Sequence, residues 1–361
     1  MRQPSAPEHA ALSGDTPAAL SGGTPAAPSG NAPADLPHWP RGWYVVARAA
    51  DLRPGAVRQG QLGPLPYVLY RGHDGQPRAM HAFCPHMGAH LRTARVVGDG
   101  LQCALHHRVV RPLAEPLPPG TTPCALHQPA WPCEERLGLI FLHPPGEAPA
   151  PLLPTLADDC GWLPAAPLVI RADWRAMICN GFDIAHLRAV HQRELVGEPL
   201  FERLPTGGLR MSYQTRVLPG GGPASWLMNQ LAGSGEGART LRLRHTCHGT
   251  SMLVECQLGR FASKAVFGVL PQDAPDSAAD AAPEQRRTRA FASIGLPRGG
   301  ALHSLRLRLA RHLYLAFLRK DFGVVEGMRL RLGGVDDPGV QAVAAYLSSL
   351  PPIARAPDHA D

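Results

Sequence analysis

Long apolar runs, lysines and aromatic residues are all scarce in this chain of 361 residues. No stretch approaches the ~18 consecutive apolar residues of a membrane-spanning helix, so we expect no integral membrane association. The first residues lack the apolar core of a signal peptide, and the eight cysteines show no paired spacing beyond the motifs below. Both features predict a reducing, cytoplasmic location. The basic residues, almost all arginine, are not concentrated with aromatics or in a known motif, so we expect no nucleic-acid partner.

The N-terminal residues 1–36 differ from the rest of the chain in composition. They are rich in alanine, proline, glycine and serine, and an imperfect repeat begins at Leu12, Leu20 and Pro28. Because too few large apolar side chains are present to offset the entropy of ordering, we predict a disordered tail over residues 1–36. The rest of the chain has room for two domains, and an apolar fraction of 44% can fill their cores.

Two short segments each place one cysteine and one histidine close together. Cys84-Pro85-His86 is followed by Cys103-Ala104-Leu105-His106, so each of two loops carries one residue of each type. In a Rieske [2Fe-2S] cluster, two thiolates hold one iron and two imidazoles hold the other. The pattern therefore predicts a Rieske cluster and a chain that transfers single electrons. The predicted ligands are Cys84, His86, Cys103 and His106.

A structural zinc site, or buried thiols beside unrelated histidines, are the alternative interpretations of these segments. Zinc sites more often pair like residues, as in CxxC with HxxxH, whereas here each loop supplies one of each. His90 and His107 fall outside the two ligand spacings, and we interpret them as loop residues. His106 is preferred to His107 because it completes the C-x-x-H pattern.

A second pair of histidines, His186 and His191, follows Asp183 in the pattern D-x-x-H-x4-H. Two histidines and one carboxylate on one face of a metal form the facial triad of non-haem Fe(II) oxygenases. Positions five apart lie about 140° apart around a regular helix. The two rings therefore converge only if the helix is locally widened or ends near His191. Taken alone the pattern is weak, because a buried apolar helix could carry two incidental histidines.

Together and in this order, the two motifs resemble those of the Rieske non-haem iron oxygenases, the family of ring-hydroxylating oxygenase large subunits, over most of residues 40–350. The resemblance implies that the first motif holds the cluster and that His186 and His191 hold a mononuclear Fe(II). Asp183 matches a family acid that hydrogen-bonds between a cluster histidine of one subunit and an iron-ligand histidine of the next. Its alternative role is an ordinary carboxylate at a helix start.

The third iron ligand implied by the resemblance lies far along the chain. Asp321 matches the family's late carboxylate, and Glu326, in the same predicted helix, is the alternative. A solvated end of a basic helix is the other interpretation of Asp321. Asp336 and Asp337 lie in a Gly-Gly-Val-Asp-Asp-Pro turn, and we interpret them as turn residues.

The expected fold is α+β with two domains. A small antiparallel β Rieske domain is predicted over residues 37–145, with strands at 43–47, 67–71 and 78–83 and a hairpin turn at Asp74-Gly75. The resemblance implies a helix-grip catalytic domain with a curved antiparallel sheet over residues 155–352. Strands are expected there at 209–217, 240–257, 260–270 and 287–294, with a surface loop at 272–285. A helix should pack across this sheet through one apolar face and deliver Asp321 to the iron. That face comprises Leu302, Leu305, Leu309, Leu313, Ala316 and Phe317.

The resemblance implies an oxygenase that acts on a hydrophobic small molecule, with monooxygenase chemistry favoured over a dioxygenase outcome. Apolar Phe182, Leu187 and Val190 near the histidines also favour a hydrophobic aromatic, alicyclic or steroid-like substrate. The cluster segments are similar to those of the aminopyrrolnitrin oxygenase branch, so arylamine N-oxygenation is considered beside C–H hydroxylation. A departure from the family is Arg108-Val109-Val110, which replaces the aromatic residues that normally follow the second cluster motif.

The electron supply is expected to come from outside the chain. No G-x-G-x-x-G unit for a nicotinamide or flavin is present, so NAD(P)H electrons should arrive through a separate ferredoxin, flavin reductase or both. A homotrimer is implied because the family holds the two metals of one subunit far apart. The alternative function is a Rieske electron carrier or binding protein with a non-functional mononuclear site.

Overall fold

The computed structural model describes residues 36–113, 126–146, 152, 159–217, 240–259, 261–272, 286–300 and 302–354. The predicted tail lies outside the described residues except for Leu36, and the predicted loop at 272–285 lies outside them except for Gln272. The described helices are α1 (Trp174–Asn180), α2 (Ile184–Ala189), α3 (His303–Val325) and α4 (Pro338–Ser348). In this part of the chain, no helix combines the length and apolar character needed to cross a bilayer.

Three small sheets form the N-terminal part. Their strands are β1 (Tyr44–Arg48), β2 (Val57–Leu62), β3 (Leu65–Arg71), β4 (Pro77–His81), β5 (Arg95–Val97), β6 (Gly100–Gln102), β7 (Val109–Leu113), β8 (Leu126–Pro129), β9 (Cys133–Arg136) and β10 (Leu139–Leu142). The strand orders are β1-β10-β9, β2-β3-β4 and β5-β6-β7-β8, and only β7 and β8 pair in parallel. The turn predicted at Asp74-Gly75 joins β3 to β4, and Gly75 has the positive φ of +81° that such a turn favours.

One large antiparallel sheet forms the C-terminal part, as predicted. Its strands are β11 (Cys160–Pro164), β12 (Leu168–Ile170), β13 (Arg193–Leu195), β14 (Leu200–Arg203), β15 (Leu209–Val217), β16 (Thr240–His248), β17 (Ser251–Leu258), β18 (Phe261–Pro271) and β19 (Thr288–Pro297). The order is β11-β19-β18-β17-β16-β15-β13, with β12 also paired to β19 and β14 to β15. The single strand predicted at 240–257 is two strands. The apolar pattern continues through the hairpin, and only Gly249, with φ +61°, marks the turn.

The predicted apolar face of α3 was wrong over the first part of the helix, whereas Phe317 of that face does pack inward, against His191. Leu302, Leu305 and Leu309 are 64%, 62% and 52% exposed. The residues that α3 buries are Leu307, Leu318, Asp321 and Val325. At 100° per residue, this face lies about 140° around the helix from the predicted one. Leucines occur on both faces, so the pattern could not choose between them. The face that packs inward is the one that carries Asp321.

An apolar core joins the small sheets to the large one. Val45 of β1 and Phe141 of β10 belong to the same buried cluster as Leu253, Val266 and Phe291 of the large sheet. Gly268 of β18 allows the closest approach, because a Cβ atom there would lie 2.3 Å from Cγ2 of Val45. The large sheet and the sheets that hold the predicted cluster loops therefore pack as one compact unit.

Candidate cluster site and metal centre

Two turns of the same design carry the predicted cluster ligands. The N–H of Gly88 donates to the carbonyl of Cys84 at 2.9 Å, and the N–H of His107 donates to the carbonyl of Cys103 at 2.9 Å. Gly88 and His107 also share positive φ values, +74° and +56°. His107 thus fills the position of the turn-closing glycine, a conformation that histidine tolerates better than most side chains. His106, one residue earlier, is the histidine that remains available as a ligand.

The four predicted cluster donors are arranged with sulfur inside and nitrogen outside. Cys84 and Cys103 are 4% and 3% exposed, whereas His86 is half-buried and His106 is exposed. The His86 and His106 rings lie 4.8 Å apart between centroids. Burial, together with the hydrogen-bonded Cys103 thiol, raises the pKa of Cys84. This donor set fits a cluster whose thiolate-bound iron is buried and whose imidazole-bound iron lies near the surface.

Backbone hydrogen bonds fix the first of these loops. The N–H of Cys84 donates to the carbonyl of Ala89 at 2.8 Å, and the side chain of Gln128 donates to the carbonyl of Phe83. His90 accepts the N–H of Arg92 at its Nδ1 atom, 3.1 Å away. His90 therefore caps a turn, in agreement with its interpretation as a loop residue.

Of the second histidine pair, His186 lies on the short helix α2 and His191 lies in the turn that follows it. The helix α1 ends at Asn180, and α2 begins after Asp183, whose Oδ1 accepts the N–H of His186 at 2.9 Å. The helix α2 ends at Ala189, and Gln192 has a positive φ of +53°. His191 consequently lies beyond the helix end. Of the two ways in which the rings could converge, the structure therefore uses the early helix end and no widened turn.

Three donor atoms from distant parts of the chain converge at this point. The Nε2 atoms of His186 and His191 lie 3.0 Å apart, and Oδ1 of Asp321 lies 2.9 Å and 2.6 Å from them. A metal bound at about 2.1 Å by three mutually perpendicular ligands would hold its donors about 3 Å apart. The spacing and the two-nitrogen, one-oxygen chemistry therefore fit a facial triad. One donor atom from each of the three residues lies within 4.8 Å of the other two, close enough to hold a single metal ion.

Asp321 is ionised at neutral pH. Burial opposes its ionisation, but hydrogen bonds from His186 and His191 outweigh burial and hold the pKa of Asp321 below its usual value. The side chain of His191 is further fixed by Phe317, whose ring stacks on the imidazole with centroids 3.8 Å apart and planes 10° apart. A negative carboxylate between two held imidazoles is suited to bind a divalent cation.

The structure places the other predicted site residues away from these three donors. Glu326 follows the end of α3 and pairs with Arg171 at 3.2 Å. Asp183 caps α2, which is the alternative role that the sequence allowed for it. Asp337, interpreted from the sequence as a turn residue, begins the unpredicted helix α4, and its carboxylate also accepts a hydrogen bond from α2.

A small pocket of about 30 Å³ lies beside the three donors. Asp321, Asn180 and Tyr314 are polar residues in its lining, and Nδ2 of Asn180 lies 3.5 Å from Nε2 of His186. Its apolar lining residues include Met177, Met252, Phe267, Leu318, Phe322 and Val325. The apolar residues expected near the substrate, Phe182, Leu187 and Val190, are not among the lining residues.

A buried pair, Tyr213 and His245, supports the start of the metal-binding segment from the sheet. The Nδ1 atom of His245 lies 2.6 Å from the carbonyl of Gly181, and its Nε2 atom lies 3.1 Å from the hydroxyl of Tyr213. Because a carbonyl only accepts, Nδ1 carries the proton and Nε2 accepts from the tyrosine. No local pattern indicated this pair, since its partner at Gly181 is 64 residues from His245.

His245 makes the stability of the fold sensitive to acid. Burial lowers the pKa of His245 from 6.5 to about 4, so the unfolded chain binds a proton between these values that the folded chain does not. This contribution is present at pH 7 and is lost as the pH falls through 6.5 towards 4. We expect protonation of His245 in the unfolded chain to lower the free energy of unfolding by about 2 kcal/mol between pH 7 and pH 5.

The measurement is the free energy of urea unfolding at both pH values for the native chain and for His245→Gln. The native chain should lose about 2 kcal/mol more than the variant on acidification, whatever the variant's stability at pH 7. Equal losses in the two proteins would contradict a neutral, buried His245.

The sequence of this chain is similar to a known domain family and to several characterised proteins. Residues 42–110 match the Rieske [2Fe-2S] domain family. The chloroplastic chlorophyllide a oxygenase of Arabidopsis thaliana is 31% identical over 158 residues, which cover 43% of this chain and 30% of that protein. The oxygenase component of chloroacetanilide N-alkylformylase from Rhizorhabdus wittichii is 30% identical over 175 residues, 45% of this chain and 49% of that protein. The chain thus spans less than half the length of these curated relatives.

Solved structures extend the likeness to the fold of both parts. Dicamba monooxygenase bound to dicamba superposes with a TM-score of 0.55 over 85% of this chain and 97% of that chain, at 19% identity. The oxygenase in the reduced oxygenase–ferredoxin complex of carbazole 1,9a-dioxygenase gives a TM-score of 0.52 over 87% of this chain and 88% of that one, at 16% identity. The chain therefore carries a Rieske [2Fe-2S] domain and has the fold of the Rieske non-haem iron oxygenases. The resemblance noted in the sequence is confirmed.

Proposed function

We propose that the chain is the oxygenase component of a Rieske non-haem iron system. In this proposal the cluster is held by Cys84, His86, Cys103 and His106, and a mononuclear Fe(II) is held by His186, His191 and Asp321. With O2 and electrons from a separate protein, the enzyme oxidises a hydrophobic small molecule, as a monooxygenase. The observation that carries the proposal is the convergence of three donors within 3.0 Å of one another beside a largely apolar pocket.

The side chains around the three donors have separate tasks. His186, His191 and Asp321 would hold an Fe(II) ion, which would supply the O2-activating chemistry of such sites. Phe317 holds the plane of the His191 ring, and the amide of Asn180 offers a hydrogen bond next to His186. The methionine, phenylalanine, leucine and valine side chains of the pocket exclude water and bind an apolar substrate.

The substrate is a neutral hydrophobic molecule on this account. Asp321 is the charged residue among the described lining residues, and it is engaged by the two histidines. C–H hydroxylation and arylamine N-oxygenation would use the same three ligands, so product analysis must distinguish them.

Electron entry is proposed at the outer edge of the cluster site. His106 is exposed there beside the exposed Arg108, and loss of hydration, followed by the charge of Arg108, lowers the pKa of His86. A positively charged edge suits an acidic ferredoxin or flavin reductase, because complementary charge speeds encounter. The carbazole dioxygenase complex with ferredoxin supports a partner of this kind.

A homotrimer is part of the proposal. Asp183 uses Oδ1 to cap α2, which leaves its other oxygen to accept a hydrogen bond from a cluster histidine of a neighbouring chain. Such a bond would connect the exposed imidazole edge of one chain with the His186 segment of the next.

The test is incorporation of labelled oxygen. The protein, reconstituted with Fe(II) and sulfide without air, is supplied with a surrogate ferredoxin and reductase, ¹⁸O2 and a panel of neutral hydrophobic arenes, arylamines and sterols. We expect one labelled oxygen atom in a product, and we expect His186→Ala to lose this activity while His312→Ala, an exposed histidine on α3, keeps it. Full oxygen-dependent turnover in His186→Ala would contradict the metal site. A reducible cluster with no labelled product from any substrate would favour the electron-carrier alternative.

A further inference from the structure

The helix that carries His186, α2, is too short to be stable without contacts from the rest of the protein. It has six residues, Ile184–Ala189, and isolated helices shorter than ~12 residues are marginal in water. The first N–H groups of any helix also lack partners within the helix. His186 is the third residue of α2, so its position depends on whatever satisfies these N–H groups.

The carboxylate of Asp337 satisfies two of them, from 153 and 152 residues away. Its Oδ2 accepts the N–H of Ile184 at 3.0 Å and the N–H of Ala185 at 3.1 Å. Its Oδ1 accepts the N–H groups of Gly339 and Val340 at 2.9 Å and 3.0 Å. One carboxylate therefore caps two helices, α2 with one oxygen and α4 with the other.

The surroundings of Asp337 keep this double cap in place. Asp337 is 6% exposed, and α4 packs so closely on the preceding turn that a Cβ atom on Gly339 would lie 1.9 Å from the carbonyl oxygen of Phe182. Phe182 lies just before Asp183, whose own carboxylate accepts the N–H of His186. The first three N–H groups of α2 are thus all held by two carboxylates, and α4 is anchored against the same turn.

We propose that Asp337 is a positioning residue for the mononuclear metal site. By capping α2 and α4 together, it fixes the turn of helix that carries His186 and sets the distance of that imidazole from Asp321. It touches none of the three donors in the described structure and acts through the backbone of Ile184 and Ala185. The inference rests on the proposed function, because it concerns the iron held by the same three residues.

The sharpest test is Asp337→Asn. Asparagine is as good a helix cap as aspartate, but it has one acceptor oxygen instead of two, so it can cap α4 and no longer cap α2 as well. Outer residues that orient metal ligands typically change metal affinity by 10–100-fold. We expect Asp337→Asn to weaken Fe(II) binding at the mononuclear site about 10- to 100-fold, measured on the holoenzyme by competition with an Fe(II) chelator. The cluster spectrum and the sulfide content should stay as in the native protein, and the thermal unfolding midpoint should fall by no more than about 10 °C, the cost of two lost hydrogen bonds.

The matched control is Asp336→Asn, which removes the same charge from the exposed neighbouring residue and should leave Fe(II) affinity unchanged. The inference is overturned if Asp337→Asn binds the third iron within about twofold of the native affinity, well below the 10-fold expected. It is equally overturned if the variant loses cluster, unfolding midpoint and iron together, since Asp337 would then serve folding alone. A native protein that itself binds no iron beyond the cluster would refute the proposed function rather than this role of Asp337.

Discussion

Replacing Asp321 with alanine is expected to remove the mononuclear iron, taking the iron content from about three to about two per chain. The carboxylate is the contact common to both imidazoles, at 2.9 Å from His186 and 2.6 Å from His191. Without it, two neutral nitrogens remain and the site has lost its only anionic donor. Since even outer-shell partners of metal sites are worth 10–100-fold, oxygen-dependent turnover should fall by more than about 100-fold.

The chain offers a matched control for this experiment in Glu326. It was the alternative ligand in the sequence, it lies five residues later, and it pairs with Arg171 at 3.2 Å instead of facing the histidines. Glu326→Ala should keep about three irons and near-native turnover. Iron and sulfide analysis of both variants separates the two carboxylates. If Asp321→Ala retained the third iron, or if Glu326→Ala lost it, the assignment of Asp321 as the iron ligand would be wrong.

Replacing His106 with alanine is expected to abolish the [2Fe-2S] cluster, while the same change at His107 leaves it intact. His106 lies 4.8 Å from His86 between ring centroids, and the cluster needs both imidazoles to hold its outer iron. His107, by contrast, closes the turn in the left-handed conformation, and its backbone carbonyl accepts a hydrogen bond from Gln102 at 3.1 Å. His106→Ala should retain less than roughly a tenth of the native cluster content.

The readouts for this pair are the cluster's electron paramagnetic resonance signal after reduction and acid-labile sulfide per chain. Loss of the cluster should stop electron delivery and hence turnover, although Fe(II) still binds at His186, His191 and Asp321. If His106→Ala kept a normal signal and His107→Ala lost it, His107 and not His106 would be the cluster ligand.

Local spacing was enough to predict a Rieske domain and to indicate candidate cluster ligands, because the cysteine and histidine of each pair lie within four residues of each other. The strands of the small sheets and the large antiparallel sheet were also accessible, because alternating apolar residues and glycine turns are local signals. The same local reasoning failed at Gly249, where apolar alternation continues across a hairpin, and at Leu302, Leu305 and Leu309, which lie on a leucine-rich face that stays exposed.

The candidate metal centre was only partly accessible from the sequence. His186 and His191 formed a weak pattern, and Asp321, 130 residues beyond His191, entered through the resemblance to a known family. Because α2 ends at Ala189, before His191, the two imidazole rings can approach each other although the residues are five positions apart. The supporting contacts of Asp337, His245 and Phe317 join segments far apart in the chain, so no local pattern could indicate them.

The most direct test of the central claim is the amount of iron and acid-labile sulfide in the native protein purified without air. The account predicts about three irons and about two sulfides per chain, the cluster's two irons and one more held by the two histidines and the carboxylate. About two irons with about two sulfides, unchanged after incubation with excess Fe(II), would contradict the mononuclear site and leave a chain that carries electrons only.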